Sequence, residues 1–157
     1  MKSEFSELPE LKVFRKYDIR GRYPDEVNEK LFTRLGNIIK LYMGKHNVNS
    51  LVIGQDYRVH SGRLASALAG ASDGTLLGPM PTPCLAFSAQ FGGMVTASHN
   101  PPEYNGLKLF VNGREMYTEE YEQLKILYKG TDNSGDCLLY TSPSPRDLST
   151  SRMPSSA

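Results

Sequence analysis

The chain has little of what marks a redox, metal-thiolate or secreted protein. Its 157 residues hold two cysteines, Cys84 and Cys137, too few for a disulfide framework or a thiolate cluster. There is no surplus charge of either sign. The 18 basic residues against 17 acidic ones leave a formal +1, so bulk charge gives no reason to expect nucleic acid or an anionic membrane as partner. No apolar run approaches the ~20 residues that span a bilayer. The opening MKSEFSELPELKVF is polar and acidic, without the apolar stretch of a secretory signal. A cytoplasmic location is the expectation. What is present, 39% hydrophobic and 22% charged residues, is the composition of a globular domain, and the length suits one.

Character changes abruptly at residue 137. The stretch CLLYTSPSPRDLSTSRMPSSA, residues 137–157, is rich in Ser and Pro and has neither helical nor strand period. LLYTSPSPRD resembles the in-frame translation of a sequencing adapter, and SRMPSSA that of the adapter's far end, with Leu148, Ser149 and Thr150 between them. The expectation is that 137–157 is an artefactual or disordered tail and the rest an N-terminal piece of a longer protein. Without that tail the remainder is neutral and Cys84 is its one cysteine.

Before residue 137, strand and helix patterns alternate. LKVFRKYDIRG reads as a strand interrupted by charge. Asn28 is placed to cap a helix whose stripe is Leu31, Phe32, Leu35, Ile38, Ile39 and Tyr42, ending at Gly44. Residues 50–53 form a short apolar strand, and Ser61 opens a helix with Leu64, Ala65, Leu68 and Ala71 on one face. Asp73-Gly74 is a turn before a strand at 75–77. Thr82 and Pro83 suit the start of a helix running to about Gln90. Strands follow at 93–96 and 107–110, then a helix from Thr118 with Tyr121, Leu124, Leu127 and Tyr128 facing inward. This alternation predicts an α/β fold with a largely parallel sheet. One local antiparallel pairing is expected around residues 96–106, where two strands lie close in sequence.

TASHNPPEYNGLKLF, residues 96–110, sets Ser98 beside His99 at the end of a strand. As a hydrolase nucleophile, Ser98 would need a base within hydrogen-bond reach and a group behind that base. His99 is poorly placed to serve its own neighbour, because successive side chains of an extended segment point to opposite sides. His46 and His60 sit in no motif, and there is no G-x-S-x-G elbow. A phosphoryl carrier fits better. A phosphoserine brings about two negative charges and several acceptor oxygens, and it needs cations or backbone donors around it. His99, Lys108 and the basic loop with Arg15 and Arg20 are the candidates. Pro101-Pro102 stiffens the loop, Asn100 and Asn105 offer donors, and Gly106 permits close approach of backbone to a ligand.

These residues resemble the active-site signature of the α-D-phosphohexomutases, in particular the phosphomannomutase/phosphoglucomutase branch. FRKYDIRG at 14–21 is similar to that family's N-terminal loop, GQDYRVHSG at 54–62 to its G-R-D-x-R-x-S-S segment, PMPTP at 79–83 to its Pro-Thr-Pro, and GREMYTEE at 113–120 to the end of its first domain. The resemblance implies a single three-layer α/β domain over 11–136 with a mixed, mostly parallel sheet, after a flexible N-terminus at 1–10. It implies an isomerase-class enzyme in which Ser98 is phosphorylated and exchanges the phosphoryl group with hexose phosphates through a bound bisphosphosugar. Hexose 1,6-bisphosphate would be activator and intermediate, and the Ser98 phosphate would be one ligand to Mg²⁺. Lys108 matches the general acid/base and His99 the histidine assisting at the phosphoserine. Tyr17 and Arg20 match residues that approach the reacting phosphate and sugar.

By the same resemblance, an Asp-Gly-Asp metal loop, a sugar-selecting loop and a terminal phosphate loop belong to later domains. This chain alone would then be inactive and would pack against those domains. Around the motif, Arg15 is expected to be structural, Asp56 and Arg58 to brace the loop, and Cys84 to be an inert core residue on an apolar helix face. The segments 63–78 and 87–93 are shorter than the family pattern. Two alternatives stay open: a phosphoglucosamine mutase, against which Thr96 argues mildly because that branch usually has Ser there, and a non-catalytic α/β module that binds sugar phosphates.

Overall fold

A computed structural model describes residues 9–87 and 90–130 of the chain. The tail expected at 137–157 and most of the terminus expected at 1–10 lie outside those residues. A short 3-10 helix, Pro9–Val13, comes first. It is followed by β1 (Ile19–Arg22), α1 (Glu29–Lys45), β2 (Val52–Gln55), α2 (Ser61–Ser72), β3 (Thr75–Pro79), α3 (Thr82–Ala86), β4 (Phe91–Val95), β5 (Tyr104–Val111), β6 (Arg114–Glu115) and α4 (Thr118–Gly130). None of these helices is long and apolar enough to cross a membrane.

Helix α1 shows what fixes an element here. The Asn28 side chain accepts the Leu31 N–H at 2.9 Å, a cap contributing about 1 kcal/mol. Leu31, Phe32, Leu35, Ile38, Ile39 and Tyr42 are all buried, and each such apolar side chain contributes about 1.5–3 kcal/mol. Packing of the stripe therefore outweighs the cap.

The sheet runs β1-β5-β4-β2-β3, with β6 added beside β5. It is mixed, as expected, but its parallel part is smaller than expected. β2 pairs parallel with β3 and β4, whereas β4 with β5, β1 with β5 and β5 with β6 are antiparallel. The cause is the length of the connections. A parallel return needs a crossover of a dozen or so residues, which α2 and α3 help to provide. The link between β4 and β5, residues 96–103, is too short for one, so the chain doubles back.

Side-chain alternation along β4 and β5 separates two cores. Val95, Leu107 and Leu109 join the larger core with the buried faces of α1, α2 and α4. Met94 and Phe110, one residue out of phase, meet Leu85 and Ala86 of α3 in a smaller core on the opposite face. The domain thus has three layers, one of them only a single turn of helix in this part of the chain.

Several local expectations fail for physical reasons. Residues 11–14 are not a strand: Leu11 and Val13 bury themselves in or beside the 3-10 turn. The charged run 15–17 forms an exposed turn closed by Arg15 N–H donating to the Asp18 carbonyl at 2.8 Å. Ser61 is the first residue of α2 rather than its cap, because its hydroxyl is turned to Asp56. Helix α3 stops at Ala86 instead of reaching Gln90. With one turn, only Leu85 and Ala86 face the sheet, so Cys84 is exposed rather than an inert core residue. The short 63–78 segment still closes. Asp73 adopts a left-handed conformation with φ 60°, and Thr75 N–H reaches the Leu51 carbonyl at 2.8 Å.

Gly106 has a different role from the one expected. A Cβ there would lie 1.9 Å from the Ile19 carbonyl oxygen, so the absent side chain admits strand β1 rather than a ligand. Gly106→Ala is expected to force β1 away from β5 and cost about 3 kcal/mol, at the upper end for overpacking. A denaturant midpoint unchanged from the parent chain would contradict this.

Candidate active site

Strand alternation first decides which side chains can meet. Arg20 lies opposite Gly106, and Met94 opposite Lys108. Arg20 and Lys108 therefore project from the same sheet face, the one α3 covers only in part, while Ile19 and Leu107 turn into the main core. Asp18, two residues before Arg20, joins them. Its side chain is 9% exposed and bridges the two cations, pairing closely with Arg20 and lying 4.0 Å from Lys108 Nζ. Glu115 of β6 approaches Lys108 at 3.6 Å. The Lys108 ammonium thus has carboxylates as its ion-pair partners, with the neighbouring Arg20 held across the shared Asp18. Arg20 Nη1 donates to Asn100 Oδ1 at 2.5 Å, tying this cluster to the 96–103 loop. Asn100 thus uses its side-chain oxygen as an acceptor for Arg20. Arg20 Nε is buried without a hydrogen-bond partner.

The loop itself turns on Ser98. Ala97 is fully buried, whereas Ser98 and His99 are exposed. Ser98 has φ 55°, a left-handed conformation that an L-residue keeps only when its surroundings enforce it. Three hydrogen bonds shape the loop: Ser98 N–H to Thr96 Oγ1 at 3.0 Å, Asn100 N–H to the Ala97 carbonyl and Tyr104 N–H to the Pro101 carbonyl, both at 3.0 Å.

Asp56 and Arg58, from the segment after β2, brace this loop, as their positions in the sequence led one to expect. Arg58 Nε donates to Asp56 Oδ2 at 3.0 Å. Its two terminal nitrogens reach the carbonyls of Ser98, Asn100, Pro101 and Tyr104 at 2.6–3.2 Å. Asp56 also accepts from the Ser61 hydroxyl, the Thr96 hydroxyl and the Arg58 N–H. Burial works to raise the Asp56 carboxyl, but the hydrogen bonds from Ser61, Thr96 and Arg58 outweigh it and hold it below the usual carboxylate range.

Beneath the loop lies a second support that the motif pattern did not reveal. His60 is buried and stacks on Tyr23, ring centroids 4.3 Å apart. Its Nε2 meets the Pro102 carbonyl at 3.2 Å, and its Nδ1 meets Asn105 Nδ2 at 2.8 Å. These partners set a neutral ring that donates to Pro102 and accepts from Asn105. Asn105 Nδ2 also donates to Ser61 Oγ at 2.9 Å. The available signal was adjacency: His60 sits next to Ser61 inside GQDYRVHSG.

The other expected site residues are placed less closely. His99 points outward, next to Ser98 in the chain. Tyr17 is 56% exposed and borders an open groove of about 420 Å³ with residues 114–119. Arg15 contributes a backbone hydrogen bond to its turn. Among the described residues, no group of three or more His, Cys, Asp or Glu side chains could hold a metal ion. A phosphate on Ser98 would offer one ligand to Mg²⁺, whose near-octahedral oxygen shell would have to be completed by other groups or water.

The depressed Asp56 pKa sets a pH dependence. Its unfolded carboxyl titrates near ~3.9, so its stabilisation is fully present above that value and is lost as pH falls through the lower folded one. Thermal midpoints of the chain should therefore drop below about pH 4, and Asp56→Asn should be less stable near neutrality but show a flatter acid limb. Parallel acid limbs for the two proteins would contradict the assignment.

Residues 11–134 match the family described as phosphoglucomutase/phosphomannomutase, alpha/beta/alpha domain I. The phosphoglucosamine mutase of Methanococcus vannielii is 47% identical over 85 residues, 49% of this chain and 19% of its own length. That of Thermotoga neapolitana is 33% identical over 121 residues, 71% of this chain and 28% of its own. A solved phosphoglucomutase/phosphomannomutase family protein from Burkholderia thailandensis superposes with a TM-score of 0.69 at 26% identity, over 77% of this chain and 30% of that one. The chain thus spans less than a third of each of these relatives. With a family match that takes in the Ser98 loop, its Arg58 brace and the Arg20–Lys108 face, the chain belongs to the phosphoglucomutase/phosphomannomutase family as its α/β/α domain I.

Proposed function

We propose that this domain carries the phosphoryl-accepting serine of a phosphohexomutase acting on hexose phosphates. The observation that carries the reading is Ser98 itself, an exposed hydroxyl held in a left-handed conformation on a braced loop. That loop is tied through Asn100 to Arg20. Arg20 Nε is a buried donor without a hydrogen-bond partner, which an anionic group reaching it would satisfy.

In the forward half-reaction, a sugar hydroxyl attacks the phosphorus on Ser98. The Ser98 Oγ–P bond breaks as the sugar O–P bond forms, and Lys108, once the ammonium held by Asp18 and Glu115 has given up its proton to solvent, takes the hydroxyl proton. His99 gives a proton to the departing Ser98 oxygen and regains one from solvent; the left-handed turn at Ser98, unlike an extended segment, does not oblige the two side chains to opposite sides. The resulting bisphosphosugar reorients, and its other phosphate returns to Ser98 by the same steps in reverse. Such transfer depends on positioning and charge neutralisation more than on covalent chemistry, and Arg20 offers a planar fork for phosphate oxygens. Tyr17 borders the approach. Mg²⁺, when bound, would neutralise charge at the phosphate, with Ser98's phosphate as one ligand and the remaining ligands supplied from outside these residues. On this reading the chain alone turns over little or no substrate.

A second reading of the sugar, hexosamine phosphate in place of mannose or glucose phosphates, is favoured by the relatives named phosphoglucosamine mutase. Thr96 is no obstacle to it. Its hydroxyl links Asp56 and the Ser98 amide, and a serine hydroxyl could make the same bonds.

The test places residues 11–134 in the matching region of the Thermotoga neapolitana relative. With glucose 1,6-bisphosphate and Mg²⁺, the chimera should gain one phosphate on Ser98, seen by mass spectrometry, and Ser98→Ala should lower mutase turnover roughly a thousandfold or more. A folded chimera without phosphate on Ser98 would instead support a non-catalytic sugar-phosphate module.

A further inference from the structure

A basic residue whose guanidinium lies against a phosphoryl-accepting serine would ordinarily be read as a phosphate ligand. The hydrogen bonds of Arg58 exclude that role. A guanidinium has five N–H donors in a fixed fork. Here Nε is used by Asp56, Nη1 by the Pro101 and Tyr104 carbonyls, and Nη2 by the Ser98 and Asn100 carbonyls. No donor remains for an incoming anion.

The bonds are also directional. Asp56, ionised, can only accept, so the Thr96 hydroxyl must donate to it. That leaves a Thr96 lone pair to receive the Ser98 N–H. The carboxylate therefore fixes the Ser98 amide through Thr96 and the Ser98 carbonyl through Arg58, gripping both peptide groups of one residue. Those two peptide groups set φ and ψ at Ser98, whose φ of 55° an ordinary L-residue would leave.

We infer that Arg58, oriented by Asp56, is a positioning residue: with Thr96 it enforces the left-handed backbone that presents the Ser98 hydroxyl, and it does not bind the phosphate. The backbone part stands on geometry alone; its catalytic consequence rests on the function proposed above. Arg58→Lys keeps the charge but loses the planar fork, and an ammonium with three donors cannot span four carbonyls and a carboxylate. Thr96→Val removes only the hydroxyl at nearly constant volume, and Thr96→Ser keeps it.

Two measurements test this. Amide hydrogen exchange is recorded by NMR on the 157-residue chain. Arg58→Lys and Thr96→Val should each accelerate exchange at Ser98 and Asn100 by roughly tenfold or more while Gly93 and Leu109 in the sheet keep their protection, and Thr96→Ser should match the parent. Unchanged exchange at Ser98 in Arg58→Lys would overturn the inference. If that variant also loses protection in the sheet, Thr96→Val decides: acceleration confined to the loop supports the inference, and none refutes it. In the chimera, Arg58→Lys should slow the maximal rate of Ser98 phosphorylation about tenfold with KM for glucose 1,6-bisphosphate within about twofold. A rise in KM at constant maximal rate would make Arg58 a phosphate ligand and overturn the inference. Absence of phosphorylation in the parent chimera would count against the proposed reaction alone, because the exchange result does not depend on it.

Discussion

The loop that carries Ser98 depends on one guanidinium. Arg58 spans the segment after β2 and the loop after β4, and its terminal nitrogens donate to four carbonyls, those of Ser98, Asn100 and Pro101 in the tight 96–103 turn and that of Tyr104 at the start of β5. Unpaired carbonyls that are not fully solvated are costly, and an exposed serine in a left-handed conformation adds strain of about 1–3 kcal/mol. The brace offsets both. Charge-assisted bonds are stronger than neutral ones, and the Asp56 carboxylate that orients Arg58 is itself held by Ser61 and Thr96. Rigidity therefore lies in side chains set back from the loop tip that carries Ser98.

The cationic face follows a different logic. Arg20 and Lys108 come from two antiparallel strands and meet because the β1–β5 register puts them on one side of the sheet. Asp18 holds both, which keeps two cations close without a ligand present. On the function proposed above, an incoming phosphate would have to compete with that carboxylate for their charge. The neutral sum of the chain outside 137–157 says nothing of this arrangement; local placement does.

Much of this was legible in the chain, for physical reasons that differ by element. Helix α1 could be read because a buried stripe and a cap coincide at Asn28 to Tyr42. The brace could be anticipated because Asp56 and Arg58 lie in GQDYRVHSG, a segment that resembles a family motif. The β5–β6 hairpin was also announced, by Asn112-Gly113, and went unread. Both residues take positive φ, 52° and 86°, as a two-residue hairpin turn of this kind requires. What could not be read depends on tertiary partners. Nothing local tells that Ser61 gives up its capping role to Asp56, that Gly106 is small for Ile19 rather than for a ligand, or that Cys84 faces solvent. The buried His60–Asn105 pair joins residues distant in sequence through a neutral ring, a contact that no spacing rule encodes.

The β1–β5 pairing has a consequence in time as well as in space. Ile19 pairs with Leu107, so the strand that delivers Arg20 closes a loop spanning most of the described chain. Helix α1 and the crossovers from β2 to β4 rely on shorter-range contacts and can form earlier. Closing long loops costs entropy before any contact repays it, and chains rich in such contacts fold slowly. During synthesis Arg58 is already present when Ser98 appears, but β1 has nothing to pair with until β5 has been made.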